Sequence, residues 1–220
     1  MLDDIIRNLQ KDFRVEFRNR SAMNLSVAFA GITTLAISLA TGGVPFSANV
    51  QSIILWVIMF FCAMNGLAHI FVREEEERTS LFLRLNSSHE SIFLSKLIFN
   101  LIFFLVLQII VTPLYVFFLQ VQVKSLLMFV LVLFAGGISI SSATTILGAM
   151  VSKAGGKGSL FTIISFPVLL PVLWVAISTT TKSLENDGYS NYGNILFFLA
   201  FSGVIISISF LLFKYIWVEE

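Results

Sequence analysis

The feature that most constrains this chain is a series of uncharged apolar runs. Each is about 20 residues or longer, the length a helix needs to cross a bilayer core of about 30 Å. Six are present, at about 22–41, 52–72, 92–120, 125–151, 159–179 and 195–216. In lipid the backbone must bond to itself, so a span is a helix or a strand of a closed barrel. None of the six alternates with the period of two that a barrel strand requires. Only 12% of the 220 residues are charged, against about 25% in a soluble domain. A water-soluble globule, a disordered chain and a disulfide scaffold are thereby excluded. The first run follows a charged stretch and has no small-residue cleavage pattern behind it, so it reads as a retained span. The predicted fold is all-α: one membrane domain over 1–220 with six transmembrane helices.

Lysine and arginine placement sets the orientation. Arg7, Lys11, Arg14, Arg18 and Arg20 precede the first span, and Arg73, Arg78, Arg84 and Lys96 lie between the second and third. Lys153 and Lys157 follow the fourth, Lys214 ends the sixth, and only Lys124 and Lys182 fall on the other side. Twelve against two puts both termini in the cytoplasm. The net charge of +1 is segregated rather than diffuse, and no nucleic-acid partner is expected. The lone cysteine, Cys62, has no internal disulfide partner.

The N-terminal stretch 1–20 is amphipathic at helical period. Leu2, Ile5, Ile6, Leu9, Phe13 and Phe17 fall on one side, with Arg7, Lys11, Arg14 and Arg18 roughly opposite. It reads either as an interfacial elbow helix leading into the first span or as a flank that only orients that span, and we take the former. In the loop between spans 2 and 3, Arg73–Glu77 and Glu74–Arg78 are i,i+4 pairs that would carry span 2 into the cytoplasm as helix. Leu81, Phe82 and Leu85 then form an apolar turn, suited either to a cytoplasmic partner's groove or to the lipid interface. Ser87 and Glu90 have the spacing of a capping box for span 3. The glycine-rich stretch 152–159 is not a phosphate loop. Gly158 follows Lys157 where Ser or Thr is required, and no strand precedes it. ATP chemistry must therefore come from another chain, and no nucleophile–base pair suggests an enzyme.

Inside the spans the chain carries no Asp or Glu, and no Arg or Lys except Lys96 and Lys214 near the ends, both expected to snorkel. That argues against a proton relay. His69 has no partner histidine and reads as an interfacial or packing residue rather than a ligand; no metal site is expected. In span 4, Gly137, Ser141, Thr144 and Gly148 share a face that permits close helix approach. Packing within the bundle is the default reading, and a dimer contact or moving seam is the alternative. Pro167 and Pro171, one turn apart in span 5, are expected to kink it, as suits a gated bundle.

Several segments carry a family resemblance. Lys11-Asp12-Phe13-Arg14-Val15-Glu16-Phe17-Arg18, Ile54-Leu55-Trp56-Val57 with Phe71-Val72-Arg73-Glu74, Lys96 with Asn100, and the paired prolines of Phe166-Pro167-Val168-Leu169-Leu170-Pro171-Val172-Leu173 resemble the haem exporter protein B family (CcmB). The resemblance covers essentially the whole chain. It departs at Thr79, at Leu81-Phe82 and at Asn86-Ser87, where the family usually has glycine, Leu-Glu and proline. It implies an ABC-2 exporter-type permease of the bacterial inner membrane, paired as a homodimer. Its implied partners are a cytoplasmic ATPase subunit that binds the ATP, a haem-handling membrane protein and a haem chaperone. Arg73, Glu74, Arg78, Leu81, Phe82 and Leu85 would form the ATPase-coupling loop. Haem would be a cargo rather than a cofactor of this chain. The residues alone leave open a permease for a lipid, glycan or drug, and a non-transporting scaffold.

Overall fold

The computed structural model describes residues 1–67, 71, 74, 79, 83, 85–153, 158–185 and 192–218. These residues form seven long helices: α1 (Leu2–Asn19), α2 (Ser21–Ala40), α3 (Ala48–Leu67), α4 (His89–Phe118), α5 (Leu126–Lys153), α6 (Gly158–Glu185) and α7 (Tyr192–Val218). Six of them, α2 to α7, are long and apolar enough to span a membrane. Beyond α3, Phe71 and Glu74 are also helical.

The most enclosed helices are α3 and α5. α5 packs against α3, α4, α6 and α7, while α2 lies against α3 and α4. Lipid tails are as apolar as leucine, so contact geometry and polar cross-links must hold such a bundle together. The cross-links are distributed through its depth. Ser26 and Cys62 exchange bonds between α2 and α3, each side chain donating to the other's carbonyl at 3.2 and 3.3 Å. Asn100 Nδ2 donates to Thr145 Oγ1 at 2.9 Å, and Gln108 Nε2 to the Leu133 carbonyl at 2.9 Å. Ser139 and Ser202 join α5 to α7 at 3.0 Å.

Pro113, Pro167 and Pro171 lie inside helices that run unbroken. Each proline lacks an N–H, so the carbonyls of Ile109, Ile163 and Pro167 have no donor four residues on. Pro167 and Pro171 are exposed, on the outward side of α6 with Phe166, Leu170 and Trp174.

The elbow helix α1 packs on α4 by a face the amphipathic pattern does not single out. Its buried residues are Ile5, Asn8 and Asp12. On a helical wheel these lie about a quarter-turn from the centre of the apolar arc, between it and the basic stripe. Leu2, Ile6 and Phe17 stay exposed. The cap of α4 is also shifted by one residue from the expected capping box. Ser88, with the extended backbone an N-cap needs, accepts from the Ser91 N–H, while the Ser87 hydroxyl accepts from Asn8 Nδ2 at 3.2 Å.

Candidate functional site

Where α1, the continuation of span 2 and the start of α4 meet, four charges are gathered. Lys96 donates to Asp12 Oδ1 at 3.0 Å and to Glu74 Oε1. Lys11 also donates to Glu74 Oε1, and its Nζ lies 3.4 Å from Asp12 Oδ1. The charges sum to zero. Lys96 is 1% exposed, Asp12 7% and Glu74 6%, while Lys11 remains half-exposed at the edge. The Lys96 ammonium is also 5.9 Å from the Phe71 ring centroid, within cation–π range. Phe71 and Phe93 both pack on Phe213, at 6.1 and 5.3 Å between ring centroids, which brings the end of α7 to the same place.

This corrects the expectation that Lys96 snorkels: its ammonium turns inward onto two carboxylates. The other lysine near a span end, Lys214, is exposed. A buried ammonium needs nearby counter-charges, and Asp12 supplies one because α1 rolls its Asn8–Asp12 strip toward α4. The bonds cross sequence separations of 84 and 22 residues. A lysine inside an apolar run, and an asparagine and an aspartate one helical turn apart on α1, were the available signals. The cluster ties the elbow to spans 2 and 3, so a displacement of one must carry the others or break buried ion pairs.

Of the expected coupling-loop residues, Glu74 and Leu85 are described; Arg73, Arg78, Leu81 and Phe82 lie outside the described residues, as does His69. Glu74 is turned into the cluster rather than offered to a partner. Leu85 is 85% exposed, and the loop buries Leu83 instead. The Thr79 N–H donates to the Glu74 carbonyl at 2.9 Å, and the Leu83 N–H to the Thr79 carbonyl at 3.2 Å.

The small-residue face of α5 is filled from within the same chain. A Cβ on Gly137 would lie 2.9 Å from Gln108 Oε1, and one on Gly148 3.5 Å from the Phe71 ring. Ser141 and Thr144 are fully buried, donating to carbonyls of α4 and α5. The face is therefore occupied by α4 and by Phe71 of the same chain. Gly136, which the sequence pattern did not single out, receives the Trp56 indole: a Cβ there would sit 2.5 Å from its Cη2.

Among the described residues no group of three or more His, Cys, Asp or Glu side chains could hold a metal ion. The only cysteine, Cys62, is buried between α2 and α3. No curated protein matches the chain. The profile of the family described as CcmB protein matches residues 4–212, from the elbow helix to the last turns of α7. With that match over nearly its whole length, the chain belongs to the CcmB family, the membrane permease component of a haem-export ATP-binding-cassette system.

Proposed function

We propose that this chain is the membrane subunit through which a separate cytoplasmic ATPase drives haem handling for c-type cytochromes. ATP binds and is hydrolysed on that partner, and the work passes through the loop between spans 2 and 3. The outcome is loading or release of a haem chaperone on the outer side, with a haem-handling membrane protein in the same assembly. Two copies of the chain pair in the bacterial inner membrane. The elbow helix lies in the cytoplasmic interface, its outward Leu2, Ile6 and Phe17 in the acyl boundary.

The observation that carries this reading is the buried cluster of Lys11, Asp12, Glu74 and Lys96. A force applied at the loop reaches Glu74 first. Through Lys96 and Asp12 it moves the elbow and the start of α4 together. Downstream of that motion we place α6, where the unbonded carbonyls before Pro167 and Pro171 lower the cost of bending.

Phe82→Asp and Leu85→Asp test the contact. Each puts a charge on the apolar turn that the ATPase would grip. Leu85 is exposed, so its replacement leaves the bundle intact. Both variants are expected to insert normally and to lose the stimulation of ATPase turnover that the wild-type subunit gives. Full stimulation by both variants would remove the loop from the coupling path.

A further inference from the structure

We propose a binding site for one anionic phospholipid of the cytoplasmic leaflet at the joint between the elbow and the first span. A half-open groove of about 340 Å³ lies there, within the usual size range of ligand pockets. Its walls are Phe13 and Phe17 of α1, Met23 of α2, and Phe99, Phe103 and Val106 of α4. Phe13 stacks toward Phe17 at 6.2 Å and meets Phe99 at 5.0 Å, and Phe99 stacks on Phe103 at 6.0 Å. From Phe99 to Val106 the α4 wall descends about 10 Å, at 1.5 Å per residue. This gives an apolar slot running into the bilayer from its cytoplasmic end.

All the polar lining sits at that end, on Glu16, Arg20 and Asn24. Such a division, with one polar end and an apolar length, is the shape of a single-tailed contact with an amphiphile. The bonds at the polar end leave one group with free donors. Glu16 is directed at its own neighbour, accepting from the Met23 N–H at 3.4 Å. Arg20 gives only Nε, to the Phe17 carbonyl at 3.1 Å, so the rest of its guanidinium fork faces outward. Arg20 is the one cation of the lining, and a guanidinium fork matches a phosphate. Inner-leaflet anionic headgroups lie at that depth.

The backbone points to the same residue. Arg20 joins α1 to α2 at φ +48°, ψ +11°, a left-handed conformation that a side chain makes costly and glycine adopts freely. The strained backbone at Arg20 makes its replacement by glycine a test that removes the side chain without cost to the turn.

The full chain, purified in a non-ionic detergent, is titrated with phosphatidylglycerol or phosphatidylcholine and read by native mass spectrometry and thermal melting. The wild type is expected to retain one phosphatidylglycerol and to melt higher with it than with phosphatidylcholine. Arg20→Gly is expected to fold at least as well without lipid and to bind phosphatidylglycerol at least tenfold more weakly. Ile102→Trp, which fills the apolar slot, is expected to abolish retention of either lipid. Equal retention of both lipids, undiminished binding by Arg20→Gly, or the same stabilisation from inorganic phosphate alone would overturn the assignment. So would displacement of the lipid from the groove by added haem.

Discussion

Lys96→Met is expected to destabilise the protein by about 3–5 kcal/mol, the cost of removing one partner from a buried ion pair. The native cluster holds two ammonium groups and two carboxylates, and only Lys11 lies at its exposed edge. Without Lys96, the buried Asp12 and Glu74 share that one half-exposed lysine and the cluster carries a net negative charge. Adding Asp12→Asn restores neutrality, leaving Lys11 and Glu74 as a pair. The double variant is therefore expected to be more stable than Lys96→Met alone. Unfolding midpoints of the two single variants and the double, in the same detergent, give the coupling. A Lys96→Met protein as stable as the wild type would mean that the cluster is not what fastens the elbow. Proteolysis gives an independent reading, because an elbow that is released and frays lets trypsin cut after Arg14 and Arg18, which the helix otherwise protects.

The second large effect is expected at Trp56. Its indole is fully buried, donates from Nε1 to Thr180 Oγ1 at 2.8 Å, and presses its far edge on Gly136. Trp56→Ala opens a cavity and leaves the Thr180 hydroxyl without its donor, at an expected cost of about 3–5 kcal/mol. Gly136→Ala brings the new methyl against a ring held at both ends, so the ring cannot retreat cheaply. The expected cost is about 1–3 kcal/mol. On a Trp56→Phe background the same alanine fills space the smaller ring vacates and should cost less. Melting of the four combinations measures that dependence. Equal costs on both backgrounds would show that the indole is not what confines Gly136.

The spans were legible because their signal is local: an apolar run of sufficient length reports itself without reference to any other part of the chain. Their observed limits fall within a few residues of the expected ones, except that α6 runs on to Glu185. What the sequence concealed depends on distant residues. Lys96 reads as a terminal lysine until Asp12 is brought across 84 residues. The glycine face of α5 reads by default as packing within the bundle, but which side chains fill it, Gln108 and Phe71, is not legible in the sequence. The amphipathic arc of α1 was legible, but its buried face was not. Ile5, Asn8 and Asp12 face α4 because a buried cation there needs a counter-charge, which overrides the hydrophobic pattern. Ser87 does not cap α4, because Ser88 beside it is equally suited and Asn8 occupies the first hydroxyl.

The central claim is that this membrane subunit works with a separate ATPase on haem. It is tested most directly by purifying the tagged chain in mild detergent, identifying its companions by mass spectrometry, and recording the absorption spectrum of the complex. The account predicts recovery of an ATPase subunit together with cytochrome c maturation proteins, and a haem spectrum that changes when ATP is added. An ATPase recovered without those proteins and without haem would point to another cargo. Recovery of no ATPase at all would contradict the account.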